Sequence, residues 1–203
     1  MSVTLNLKGR TALVCASSAG IGAGIAENLL MSSCNVVICG RSEKRLNEAI
    51  DRLSSTGSGR LLAVRCDLND PDDIENLHKV ACDQFGMIDI LVHNQGGPSP
   101  GELKDLTIQD LDSAYKSLVR PVFQLNGMCI PSMIDHGWGR IINILSVSAK
   151  QPLPNMLLSN VFRPALQGMA KSLANDLGKH GITVNSLLPA NVLSDRTDRK
   201  SVV

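Results

Sequence analysis

Leu13-Val14-Cys15-Ala16-Ser17-Ser18-Ala19-Gly20-Ile21-Gly22 is the stretch that decides how this chain reads. An apolar run, Thr11 to Val14, leads into it, and a helical pattern at Ile25, Leu29 and Leu30 leads out. A buried strand, a small-residue turn and a helix start bring free backbone N–H groups and the positive helix end to one spot, which suits an anion. Small residues let the backbone approach a pyrophosphate and let the helix pack on the strand. A second apolar run at 35–39 stands at the distance a βαβ unit requires, which lifts the turn above an ordinary strand–helix connection.

The chain has 203 residues and a net charge of +1, from 20 basic and 19 acidic side chains. That length suits one domain, residues 1–203, with a sizeable core. No basic stripe points to nucleic acid, and no apolar run approaches a membrane span. Residues 1–10 lack the apolar segment of a secretory signal, so a cytoplasmic location is expected. Six cysteines (Cys15, Cys34, Cys39, Cys66, Cys82 and Cys129) form no C-x-x-C pair. They read as small buried hydrophobes in a reducing compartment, and no metal site is expected.

Apolar runs at 11–14, 35–39, 61–65, 88–92, 140–145 and 183–188 alternate with helical patterns at 21–32, 43–54, 72–85, 108–134 and 158–179. The runs are apolar throughout, as strands covered on both faces must be. Strict alternation implies an α/β fold, a doubly wound parallel sheet of Rossmann type, with its ligand crevice at the carboxyl ends of the strands. Ser42 can cap the second helix, Gly57-Ser58-Gly59 closes it, and Asp70-Pro71 starts the third.

In order and spacing these motifs resemble the short-chain dehydrogenase/reductase family, whose members bind NAD(P) on such a sheet. The family's T-G-x-x-x-G-x-G turn falls on residues 15–22, with Cys15 for Thr and Ala16 for the first Gly. Asp67-Leu68 matches the segment that meets the adenine, and the N-N-A-G segment appears as His93-Asn94-Gln95-Gly96. Asn185 and Pro189 also fit. The resemblance assigns cofactor contacts to Ser17, Gly20, Ile21, Gly22, Arg41, Asp67, Leu68, Asn94 and Gly96. NAD-preferring relatives carry an acid at the end of the second strand, where this chain reads Gly40-Arg41. A guanidinium there can pair with a 2′-phosphate, so NADP(H) is expected over NAD, although the second basic position of NADP relatives is Ala19 here.

The family's chemistry uses an Asn, a Ser and a Tyr-x-x-x-Lys pair. Ser146 fits the serine position, while the family spacing puts Ser159 at the tyrosine, Arg163 at the lysine and Leu118 at the asparagine. Ser159 is a poor proton carrier, and Arg163 keeps a positive charge without being able to relay a proton. Pro164 removes an N–H and is expected to bend its helix locally. Lys150 and Tyr115 are the other candidates for acid–base work, with Tyr115 reading first as a core aromatic.

Three readings stay open. One is an NADP(H)-dependent oxidoreductase acting on a ketone or secondary alcohol, 3-oxoacyl-reductase-like, with Ser146, Ser159, Arg163 and Lys150 as its chemical groups. Another is a non-catalytic cofactor-binding regulatory protein. The third is an inactive, shortened member, because relatives continue into a substrate lid and a final strand about where 195–203 ends this chain, which would leave the sixth strand an open edge. Relatives form dimers and tetramers, and the stripe Ala114, Leu118, Val122, Leu125 and Cys129 could supply such a contact or cover the sheet.

Overall fold

The computed structural model describes residues 5–190 and 192. Six parallel strands form one sheet: β1 (Thr11–Val14), β2 (Asn35–Gly40), β3 (Leu61–Arg65), β4 (Ile90–His93), β5 (Gly139–Ile144) and β6 (Ile182–Leu187). Their order is β3-β2-β1-β4-β5-β6, so the winding reverses between β1 and β4 and opens a crevice there at the carboxyl ends. The expected fold class is present. Among the described residues β6 is one edge of the sheet, and residues 195–203, where a lid was expected to begin, lie outside the described residues.

Side chains of the central strands alternate between two apolar layers, which explains their unbroken apolar runs. Leu13, Val37 and Leu91 pack with α3 (Pro71–Phe85), α5 (Arg120–Asp135) and α6 (Leu157–Leu177). Ala12, Val14, Val36, Ile38 and Val92 pack with α1 (Gly20–Met31) and α2 (Glu43–Leu53) on the other face. At the amino ends of the strands, Arg10 pairs with buried Asp89 at 2.6 Å and lies over the Trp138 ring. Asp89 also accepts the Thr11 N–H at 2.9 Å, which ties β1 to the start of β4.

Local signals set the helix starts. Ser42 accepts the Arg45 N–H, and Asp70 accepts the Asp72 N–H ahead of Pro71. The single helix expected over 108–134 is two, α4 (Ile108–Leu118) and α5, broken at Val119. Pro121 has no N–H for the Ser117 carbonyl, and its ring crowds that carbonyl. Pro164, by contrast, lies inside a continuous α6.

The stripe Ala114, Leu118, Val122, Leu125 and Cys129 is buried on the sheet side, so it covers the core and offers no surface to a second subunit. Tyr115, read as a core aromatic, is exposed with Ile108, Leu111 and Phe123 on the outer side of the same two helices. Five of the cysteines are buried, Cys82 is half-buried, and all six are free thiols, with burial pushing Cys34 up to about 12. No helix among the described residues is long and apolar enough to cross a membrane.

Candidate functional site

The small-residue turn is built by long-range bonds. Ser17 is fully buried; its hydroxyl donates to the Val14 carbonyl at 2.6 Å and accepts the Cys39 N–H at 3.1 Å. It fastens the end of β1 to the end of β2, so the hydroxyl expected to meet the cofactor is engaged by the protein, and its neighbour Ser18 lines the cleft. Asn94, just beyond β4, donates to the carbonyls of Cys15 and Ala16 at 3.4 and 3.2 Å and thereby pins the turn from the other side. Gly22 lies where these groups meet: a Cβ would stand 2.7 Å from the Ala16 oxygen and 2.7 Å from Asn94 Nδ2. Ala16 itself has φ of +46°, a left-handed conformation that a glycine adopts without penalty. Gly20 has φ of +58°. Ile21 lines an apolar groove with Ile25, Leu29 and Leu187.

Above the turn lies a cleft of about 610 Å³. Its floor is Ala16, Ser18 and Ala19; one wall is Gly40, Arg41, Ser42 and Arg45; the other is Asp67, Leu68, Gln95 and Gly96. Gly20, Gly22 and Asn94 shape the turn beneath it, so most of the residues assigned from sequence gather at this one crevice. A dinucleotide fits this lining: close-approach backbone at the turn, a carboxylate acceptor at Asp67, and cations at the rim. Arg45 escaped the sequence reading because it lies inside α2, where an arginine reads as solvated helix surface. In the fold it follows the Ser42 cap and lines the same wall of the cleft as Arg41.

The groups considered for chemistry lie at the next strand end. Ser146 follows β5, and its Oγ accepts the Ser148 N–H at 3.3 Å, at the start of a short 3-10 turn (Val147–Ala149). Ser159, at the start of α6, is buried, and its hydroxyl faces that of Ser148 at 2.9 Å. Arg163 is buried as well; it donates to the carbonyls of Ile144 at 3.0 Å, Gln95 at 3.5 Å and Gly96 at 3.4 Å. Both positions that the resemblance assigns to a Tyr-x-x-x-Lys pair therefore engage the protein. Leu118 is fully buried in the core and Lys150 is exposed.

His93 stands where the resemblance has an asparagine. It is fully buried, donates through Nε2 to Asn126 Oδ1 at 3.0 Å, and leaves Nδ1 with no partner. Burial holds its pKa down to about 4, against the Asn126 bond. The ring is neutral in the folded protein and takes a proton near pH 6.5 when unfolded. Its contribution to stability is complete above about pH 6.5 and is lost as the pH falls towards 4. Urea unfolding at pH 7 and pH 5 should show a loss of about 2 kcal/mol that His93→Gln removes. Equal pH dependence in the two proteins would show that His93 is not buried as the neutral ring.

A family model described as short chain dehydrogenase matches residues 10–201. The chain belongs to the short-chain dehydrogenase family. It is 31% identical over 202 residues to a 7alpha-hydroxysteroid dehydrogenase of Escherichia coli, covering 100% of this chain and 78% of that relative. It is 30% identical to a 3-oxoacyl-[acyl-carrier-protein] reductase of Vibrio cholerae over 95% of this chain and 78% of the relative. Among solved structures, L-sorbose reductase of Gluconobacter frateurii, complexed with NADPH and L-sorbose, superposes with a TM-score of 0.93 at 29% identity, covering 98% of this chain and 76% of that one. As a short-chain dehydrogenase this protein is an oxidoreductase of the NAD(P)-using kind, and its crevice stands at the switch point where its fold places a ligand.

Proposed function

We propose that this chain, residues 1–203, is an NADP(H)-dependent oxidoreductase that reduces a ketone to a secondary alcohol or runs the reverse, with 3-oxoacyl-type carbonyls as the first substrate class to test. The observation that carries the cofactor reading is the rim of the cleft: Arg41 and Arg45 flank Ser42 at the end of β2, and no carboxylate shares that wall. A 2′-phosphate there meets two cations, whereas an NAD ribose loses the acid that would grip its hydroxyls. The sorbose reductase complexed with NADPH supports the cofactor assignment, and the 3-oxoacyl-[acyl-carrier-protein] reductase among the relatives supports the substrate class.

Bound in this cleft, a nicotinamide dinucleotide supplies or accepts the hydride at the substrate carbon. The chain's residues then bind and orient. The turn at residues 16–22 offers backbone N–H groups to the diphosphate, and Asp67 and Leu68 border the adenosine end. Ser146 is the polarising group for the carbonyl. Its Oγ lone pair already accepts the Ser148 N–H, so its own O–H is free to donate to a substrate oxygen. Lys150, exposed four residues on, is the remaining nearby candidate for moving a proton. Six free thiols, mostly buried, suit a reducing cytoplasm. The exposed face of Ile108, Leu111, Tyr115 and Phe123 is the surface we assign to a homo-oligomer.

The burial of Ser159 and Arg163 favours one second reading, a cofactor-binding protein without turnover. Reduction of any ketone by the purified chain removes it. The cofactor assignment is tested by titrating NADPH and NADH calorimetrically into wild type, Arg41→Ala and Arg45→Ala. Each substitution should weaken NADPH about tenfold or more, the worth of an exposed charge-assisted pair, and leave NADH nearly unchanged. Equal losses for both cofactors would overturn the 2′-phosphate contact.

A further inference from the structure

The two α6 positions that differ from the family pattern are not idle. Ser159 reaches Ser148, two residues after Ser146, and Arg163, one turn later on the same helix face, reaches the carbonyl of Ile144, two residues before Ser146. Arg163 also donates to Gln95 and Gly96, the loop after β4 that forms one wall of the cleft. Ser148 closes the arrangement: its hydroxyl faces Ser159 while its N–H donates to Ser146 Oγ. Ser148, Ser159 and Arg163 are all buried.

We infer that Ser148, Ser159 and Arg163 form a clamp that positions Ser146, holding its segment to α6 on both sides, and that Ser148 is a positioning residue of this site. Buried hydroxyls and a buried guanidinium that bond to protein rather than to the cleft fix geometry; they do not carry protons to a ligand. A hydrogen-bond donor must stand within a fraction of an ångström of the oxygen it polarises, so a clamp on its backbone acts on rate rather than on cofactor affinity. The inference rests on the role proposed for Ser146.

The test uses the whole chain. Amide hydrogen exchange at 145–149 is compared in wild type, Ser148→Ala and Ser159→Ala. Each variant should raise exchange there roughly tenfold, the worth of one buried hydrogen bond, with β1 and β2 unaffected. Substituting from both sides of the pair keeps the test decisive should one variant fold poorly. In parallel, reduction of ethyl acetoacetate with NADPH is followed. Ser148→Ala and Ser159→Ala should lower kcat by about tenfold or more, with KM for NADPH and the pH profile unchanged. In a Ser146→Ala background neither should add a further loss. Unchanged exchange at 145–149 overturns the clamp, as does a shifted pH profile for Ser159→Ala, which would make Ser159 a proton carrier. A failure of the Ser146 reading shows separately, as equal kinetics for wild type and Ser146→Ala, while the exchange comparison still decides the clamp.

Discussion

Ser146→Ala is expected to lower kcat for ketone reduction by about a hundredfold or more, the usual loss when one donor to a developing oxyanion is removed. Cofactor affinity should not change. Ser146 lies beyond β5 and outside the wall of the cleft that carries Arg41, Arg45, Asp67 and Leu68. With the Ser148 N–H on its oxygen, the Ser146 hydroxyl is oriented and its proton remains available to a ligand. Steady-state kinetics with ethyl acetoacetate and calorimetry with NADPH measure the two quantities independently. Undiminished turnover in the variant would remove Ser146 from the chemistry, and weakened NADPH binding would place it in the cofactor site instead.

Gly22→Ala should destabilise the fold by roughly 2–4 kcal/mol and abolish saturable NADPH binding in the same step. The added carbon meets two backbone groups and one amide: the Ala16 oxygen, Ser17 Cα at 2.8 Å and Asn94 Nδ2. None of these is the loose end of a flexible side chain. Asn94 would have to leave the carbonyls of Cys15 and Ala16, freeing a turn whose backbone already includes a left-handed alanine. Gly24→Ala is the matched control, two residues along the same helix, with nothing within 4 Å of the added carbon. It should be neutral or stabilising by about 0.5–1 kcal/mol through helix propensity. Denaturant midpoints of the two variants, read with NADPH titrations, check the contrast. Equal stability of Gly22→Ala and Gly24→Ala would show that the turn does not close as described.

Much of this was legible in the residues alone. The unbroken apolar runs stood for doubly covered strands because side chains alternate between two buried layers, as Leu13 and Val14 do. Strict alternation of strands and helices implied the parallel sheet, and the glycine turn marked the crevice. One helix was read too long because apolar spacing continues across Val119, while the break comes from Pro121 two residues later. The same continuity hid which side of α4 and α5 is exposed.

The sequence by itself determined the family, the order of elements, the turn under the cleft and the cation at the end of β2, because each is written in local spacing and residue size. Only the tertiary structure decided which polar groups are free. Ser17 is tied to Cys39, Ser159 to Ser148, Arg163 to Gln95 and His93 to Asn126, while Arg45 stands open at the cleft beside Arg41. These partners lie on separate elements, and no local periodicity encodes them. A buried hydroxyl or guanidinium must satisfy its hydrogen bonds, and packing alone settles whether it does so with the protein or with a ligand.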